Sequence, residues 1–314
     1  MIDVLVHGSD FVAPFAFVNG LATLHPTVPD LVRSALTCGH LPPGNFWPYM
    51  GYRRHAAIWR TSIVRAHVSA DTDLNALVPT DDYWMLEATE RGFVSSILGS
   101  AVTHLVAQQR LGFPVLLHLS TYGAAFNVVF NGRHRPDFIA PFGATDWAVI
   151  EAKGRARLRP ALVGHAKTQT RSVTSIAGAE PRVRVVAACV FRKTGLEVEL
   201  HDPPAKSIAL QATVSDVVSE YYLGIKSLLD EDGGGDVIAI ADRRFRSSYV
   251  RELDLVVGLD VEIEAALAAV DQREQVIGLA STVPLGSSRA RQDDSVQSIG
   301  PDGVLVRLGD TWLQ

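Results

Sequence analysis

Arg135-Pro136-Asp137-Phe138-Ile139-Ala140, a turn through Pro141-Phe142-Gly143-Ala144-Thr145, then Asp146-Trp147-Ala148-Val149-Ile150-Glu151-Ala152-Lys153: the fold turns on this stretch. Two short apolar runs on either side of a Gly/Pro turn predict a β-hairpin. With the turn centred near Gly143 and Ala144, Asp137 lies across from the neighbourhood of Ile150 and Glu151. Facing side chains on adjacent strands sit roughly 5 Å apart. Strand alternation puts Glu151 and Lys153 on one face and Ile150 and Ala152 on the other. Two carboxylates held that close are costly to bury unless a proton or a cation neutralises them. Mg²⁺, a hard cation that takes oxygen ligands at roughly 2.0–2.1 Å, meets that need. An Asp and a Glu-x-Lys on neighbouring strands also occur as ordinary exposed salt-bridged hairpins. Here Trp147, Val149 and Ile150 are apolar on both strand faces, which suits a buried central strand with polar groups only at its end.

Upstream, Leu86, Phe93, Ile97, Ala101 and Leu105 recur at helical spacing without an intervening proline, predicting one amphipathic helix over 83–110. Asp81 or Asp82 is placed to cap it, and Gly112 followed by Pro114 to stop it. Runs with strand character follow at 115–122, 125–131, 135–140 and 147–153. A helix is expected over 158–177, a strongly apolar strand over 182–192 and its hairpin partner over 196–201. Residues 1–80, rich in aromatics, Pro and Gly, read as an irregular or mixed lobe. Beyond Pro203 and Pro204 a helix over 211–229 is expected to end at the Gly233-Gly234-Gly235 turn. No Lys-Ser/Thr follows those glycines, so they read as a linker and not as a phosphate cradle. Residues 281–300, rich in Ser, Gly, Arg and Asp, read as a mobile loop. The expected organisation is an N-terminal lobe (1–80), a core (81–205) and a C-terminal α/β extension (206–314), with no internal repeat.

The chain has 314 residues, 47% of them hydrophobic and 20% charged, which excludes disorder as its main state. Its two cysteines, Cys38 and Cys189, cannot make a four-ligand zinc site or a disulfide framework. The first residues show no basic segment leading an apolar one, and the apolar run 11–24 is broken by Pro14, Asn19 and Gly20, so a cytoplasmic protein without a membrane span is expected. A net charge of −5 argues against a protein coated all over in positive charge. Charge is nevertheless local: between Asn131 and Ser172 six Arg and two Lys stand against three acids, two of which are Asp137 and Glu151.

Pro136-Asp137, a gap, then Glu151-Ala152-Lys153 resembles the PD-(D/E)xK nuclease superfamily, whose restriction-endonuclease-like core is an α/β fold with a central mixed β-sheet flanked by helices. In that family the Asp and the (D/E)xK lie on a hairpin preceded by a helix that supplies a glutamate and followed by a helix and a buried strand. The chain reads in that order over about 83–201. The resemblance implies that Asp137, Glu151 and the main-chain carbonyl of Ala152 hold Mg²⁺ or Mn²⁺, and that Lys153 positions the attacking water and stabilises charge developing on phosphorus. It implies a metal-dependent nuclease acting on phosphodiester bonds in DNA. RNA or branched DNA as substrate stays open, as does a non-catalytic nucleic-acid-binding or assembly module of a defence or repair complex. A homo-oligomer or a partner protein is a further expectation.

The family's upstream glutamate has two candidates. At about 100° per residue, Glu90 falls within about 10° of the centre of the expected apolar face and Glu87 roughly 70° away, which favours Glu90 and leaves Glu87 open. Gln169 stands sixteen residues beyond Lys153, where the RecB-like branch of the superfamily carries a Gln followed four residues later by Tyr; here that later residue is Val173. Lys167, one of only five lysines, and Gln169 are read as touching substrate, and Arg133, Arg135 and Arg155 as phosphate contacts that flank the hairpin. His104 and His118 read as core or edge histidines and not as ligands.

Overall fold

The computed structural model describes residues 2–38, 51–124 (backbone alone at 51–54), 126–142, 146–202, 221–222, 225–226, 228–230, 235–268 and 296–312. The chain opens with the antiparallel strands β1 (Val4–Ser9) and β2 (Gly20–Leu24), followed by helices α1 (Val28–Thr37) and α2 (Gly51–His67). A small hairpin, β3 (Val68–Asp71) and β4 (Ala76–Pro79), leads to α3 (Asp81–Met85) and the long α4 (Ala88–Val106). Next come β5 (Leu117–His118), α5 (Leu119–Tyr122), β6 (Val129–Phe130), β7 (Phe138–Phe142), β8 (Asp146–Arg155), α6 (Pro160–Arg171), β9 (Val173–Ser175), β10 (Val183–Arg192) and β11 (Gly195–His201).

Seven strands form one mixed sheet in the order β2-β1-β11-β10-β8-β7-β5, with β8 parallel to β10 and β1 parallel to β11. The molecule is thus α/β, with a large central mixed sheet flanked by helices. Its central strands β8 and β10 are buried on both faces, which is why they read as almost continuous apolar runs. Helix α4 covers one face through an unusually close approach. Gly99 and Gly154 lie backbone to backbone, and a Cβ on Gly99 would stand 2.6 Å from the Gly154 Cα. Cys189, in register with Gly154, faces the same helix and donates to the Gly99 carbonyl. Helix α6 connects β8 to β10 and packs on both.

Several expectations change. Residues 1–80 are not a separate irregular lobe: β1 is an interior strand of the main sheet, with Leu5 facing Glu197 and Ser9 facing His201. Its short alternating pattern, Val4 and Val6 inward, was too brief to stand out amid Pro and aromatic residues. The helix expected over 83–110 is broken. Thr80, not Asp81 or Asp82, caps α3; Leu86 leaves helical geometry; and α4 starts afresh behind Glu87 before ending in a π-helical turn over Ala107–Leu111. The run 115–122 holds only two strand residues before a helical turn, and the run 125–131 holds only two among its described residues, 126–131. Helix α6 stops at Arg171, so Val173 belongs to a strand.

Toward the C-terminus, β12 (Asp236–Ile240), β13 (Arg243–Val250), β14 (Leu255–Asp260), β15 (Gln297–Ile299) and β16 (Val304–Leu308) form an antiparallel sheet in the order β12-β13-β14-β16-β15, with α7 (Val261–Ala268) after β14. The stretch 297–299, inside the expected loop over 281–300, is therefore a strand paired with β16, and 281–295 lies outside the described residues. Of the helix expected over 211–229, residues 211–220 lie outside them too, while 221–222, 225–226 and 228–229 are helical. This second sheet packs on α1 through a buried polar junction. Arg33 donates to Gln108 Oε1 at 2.6 Å and to Ser298 Oγ at 2.9 Å, and stands 3.6 Å from Asp302 Oδ1. Tyr221 donates to Asp302 Oδ2 at 2.6 Å. Among the described residues no helix is long and apolar enough to cross a membrane.

Candidate functional site

Hydrophobic burial places the site. Trp147, Ala148, Val149 and Ile150 are all buried in β8, and the strand carries Glu151 inward with them until its side chain is 0% exposed. Partner strand β7 ends its ladder at Phe138, paired with Ile150, so Asp137 lies just past the last rung, opposite Glu151. Pairing of Phe142 with Asp146 leaves the turn at 143–145, outside the described residues, and matches the register expected from the hairpin. The Leu119 N–H donates to the Asp137 carbonyl at 2.9 Å and holds that backbone in place.

Where the ladder stops, the two carboxylates take over its hydrogen bonds. The Asp137 N–H donates to Glu151 Oε2 at 3.1 Å, and the Ala152 N–H donates to Asp137 Oδ2 at 2.9 Å. Each acid therefore caps a main-chain amide of the other strand. The Lys153 ammonium donates to Glu151 Oε1 from the same strand face, its side chain 15% exposed. Burial, with the Asp137 charge added to it, pushes the Glu151 carboxyl up to about 8, although Lys153 pulls the other way. Burial also raises Asp137, offset in part by the Ala152 amide and by Lys153. One ammonium does not neutralise two sheltered acids, so the pair retains a need for positive charge or a proton.

The fit to a hard divalent cation follows from that deficit. The donors are carboxylate oxygens of Asp137 and Glu151 with the Ala152 carbonyl nearby in sequence, and Mg²⁺ is commonly held by one or two carboxylates together with water and substrate phosphate. Among the described residues no three His, Cys, Asp or Glu side chains gather as a metal-binding group. The helix glutamates stand elsewhere. Glu87 is exposed and caps α4, its carboxylate accepting from the Thr89 N–H at 2.7 Å, and Glu90 is exposed on the first turn. The break at Leu86 and the actual packing face explain the difference. Val94, Ser95, Leu98 and Val102 face inward, Phe93 is 56% exposed, and the residue one turn above Ser95 on that face is Arg91.

On the flank, Gln169 Nε2 donates to the Arg135 carbonyl at 3.1 Å and so braces the chain two residues before Asp137. Ser172 Oγ, donating to the His134 carbonyl at 2.9 Å, adds a second tie from the end of α6. Arg135 is folded back on its own loop, 3.7 Å above the Phe130 ring and donating to the carbonyls of Gly132 and His134. Lys167 points away from Gln169 and pairs with Asp10 at 2.9 Å. Arg155 is half-buried and donates to the Gly154 carbonyl, whereas Arg133 is exposed. Both thiols are buried, which pushes Cys38 and Cys189 up to about 12 and removes them from nucleophilic chemistry. His104 is fully buried, and that burial holds its imidazole down to about 4.

The structure thus brings together Asp137, Glu151, Ala152 and Lys153, sets Gln169 and Arg135 beside them, and keeps Glu87, Glu90 and Lys167 apart. Trp84, Arg91 and Arg192, which line a groove with Arg157 beyond the end of β8, had no motif to mark them. Comparison with known proteins finds no family model, no curated protein and no solved structure that matches the chain.

Proposed function

We propose that the chain is a metal-dependent nuclease of restriction-endonuclease-like fold that hydrolyses phosphodiester bonds in DNA. One observation carries the reading: the Asp137 and Glu151 carboxylates and the Lys153 ammonium converge at the end of a β-hairpin, joined by reciprocal hydrogen bonds. The element order α4, β7, β8, α6, β10 supports it, as does the basic flank of the hairpin.

Asp137 and Glu151, with the Ala152 carbonyl, would hold Mg²⁺ or Mn²⁺. When bound, such an ion supplies Lewis-acid polarisation of a phosphoryl oxygen and charge to offset the transition state. The chain's own groups do the rest. Lys153, on the same strand face as Glu151, would donate to an attacking water and to a non-bridging oxygen as negative charge builds there. Gln169, by holding the Arg135 carbonyl, braces the chain two residues before Asp137, which lies beside Glu151 of β8. The close contact of α4 with Gly154 leaves β8 no room to shift.

A plasmid-nicking assay with Mg²⁺ or Mn²⁺ tests this. Wild-type protein is expected to cut, and Lys153→Met, which removes one transition-state donor, and Asp137→Asn, which removes a carboxylate that would hold the ion, each to lose at least about 100-fold. A second reading, a binding or assembly module that keeps this fold without cutting, draws on the finding that only two acids meet at the site among the described residues. Metal-independent DNA binding without cleavage of DNA or RNA by wild-type protein would favour it.

A further inference from the structure

Beyond the last residues of β8 lies an open groove of about 560 Å³ bounded by Trp84, Arg91, Ala156, Arg157, Phe191 and Arg192. Strand rise places it about 15 Å past Glu151. Phe191 is fully buried and forms the floor, while Trp84 is half-buried against Tyr83, ring centroids 5.0 Å apart. Arg91 fixes the wall by donating to the Trp84 carbonyl at 3.0 Å. Lys193 Nζ stands 6.0 Å from the Trp84 ring centroid. Arg157 is exposed and has no hydrogen bond or ion pair among the described residues. The acids nearby include Glu197, paired with Arg192 at 2.7 Å, the exposed Asp81 and Asp82 on the helix α3 that carries Trp84, and the exposed Glu87 and Glu90 on α4. A half-buried aromatic ring with a lysine over its face and three arginines around it offers an unpaired strand both kinds of contact: a base that stacks on the ring displaces the ammonium, and the cations track the phosphates. A base inside a duplex cannot reach such a platform.

We infer that this groove binds single-stranded nucleic acid, seating an unpaired segment about 15 Å from the scissile phosphate. The inference deepens the nuclease reading and rests on it for the groove's purpose, although binding itself needs no metal. Trp84 is the stacking platform, and Arg157, Arg192 and Lys193 are the backbone contacts.

The test measures fluorescence anisotropy of a labelled oligothymidylate and of a blunt duplex of equal length, using the full chain in EDTA so that nothing is cut. Trp84→Ala is expected to weaken oligothymidylate binding about 10-fold, the loss typical of one stacked base. Arg157→Glu, an exposed substitution that leaves the fold intact, should weaken it about 5-fold and reduce the dependence of affinity on salt. The duplex should bind more weakly and be indifferent to Trp84→Ala. Unchanged oligothymidylate affinity in folded Trp84→Ala and Arg157→Glu overturns the inference, as does an equal loss for duplex in Trp84→Ala. These outcomes separate from the nuclease reading. Metal-dependent cutting with unaffected single-strand binding defeats the groove alone, whereas groove-dependent binding without any cutting defeats the nuclease reading alone.

Discussion

Replacing Glu151 by Gln should make the metal-free protein more stable at alkaline pH, an unusual outcome for a fully buried residue. The Glu151 carboxyl, ordinarily at 4.5, is pushed up to about 8 by burial and by Asp137. A carboxyl whose folded value is raised binds more protons folded than unfolded across that interval. Its favourable state is therefore fully present below pH 4.5 and is lost as pH rises toward 8. Such a displacement corresponds to about 5 kcal/mol at most, part of it shared with Asp137 and Lys153. The glutamine amide keeps one of the two acceptor contacts of Glu151 and loses the other, a cost of about 1 kcal/mol. Glu151→Gln is thus expected to exceed wild type by about 2–4 kcal/mol at pH 8.5, and to be equal or slightly weaker at pH 5. Urea unfolding in EDTA, followed by tryptophan fluorescence from pH 5 to 9, gives both values. With Mg²⁺ at 100 times its Kd the lead of the variant should shrink by about 2.7 kcal/mol, because the ion stabilises wild type by that amount and the variant little. Parallel pH profiles for the two proteins, or equal stabilisation of both by Mg²⁺, would refute the electrostatic account of the site.

Three further outcomes follow from the packing. Gly154→Ala drives a methyl into the Ser95 carbonyl and should cost about 3 kcal/mol or more by prying α4 from β8, read as a lowered melting temperature; a change under about 1 kcal/mol would show that the two elements are not in rigid contact. Asp302→Ala leaves the buried Arg33 guanidinium without its carboxylate and should cost about 3–5 kcal/mol in chemical denaturation, a far larger loss than Lys167→Ala, whose pair with Asp10 is exposed. Glu87→Gln and Glu90→Gln, both at exposed positions, should leave metal-dependent cutting within about two-fold of wild type, and a loss on the scale of a ligand deletion in either would return a helix glutamate to the site.

The hairpin was legible in the amino-acid sequence because its information is local. A turn of known residue types and a period of two suffice to set Asp137 opposite Glu151 and to put Lys153 on the Glu151 face. Burial of β8 was legible for the same reason, since its apolar run marks a central strand, but polar groups were expected to emerge at its end, whereas Glu151 is carried inward with its four apolar neighbours. Helix phase was not. A break of two residues, Leu86 and Glu87, both extended, resets the helix phase after it; Phe93 then stands outward and Glu87 is a cap. Nor could sequence spacing show that Lys167 would meet Asp10, 157 residues away, or that β1 would enter the main sheet beside β11. Such pairings depend on which distant surfaces bury each other, a choice made by the whole packed chain. Sequence alone therefore determined the chemistry of the candidate site, whereas tertiary packing decided which charged groups flank it, and formed the basic groove beyond β8 from residues on three separate elements.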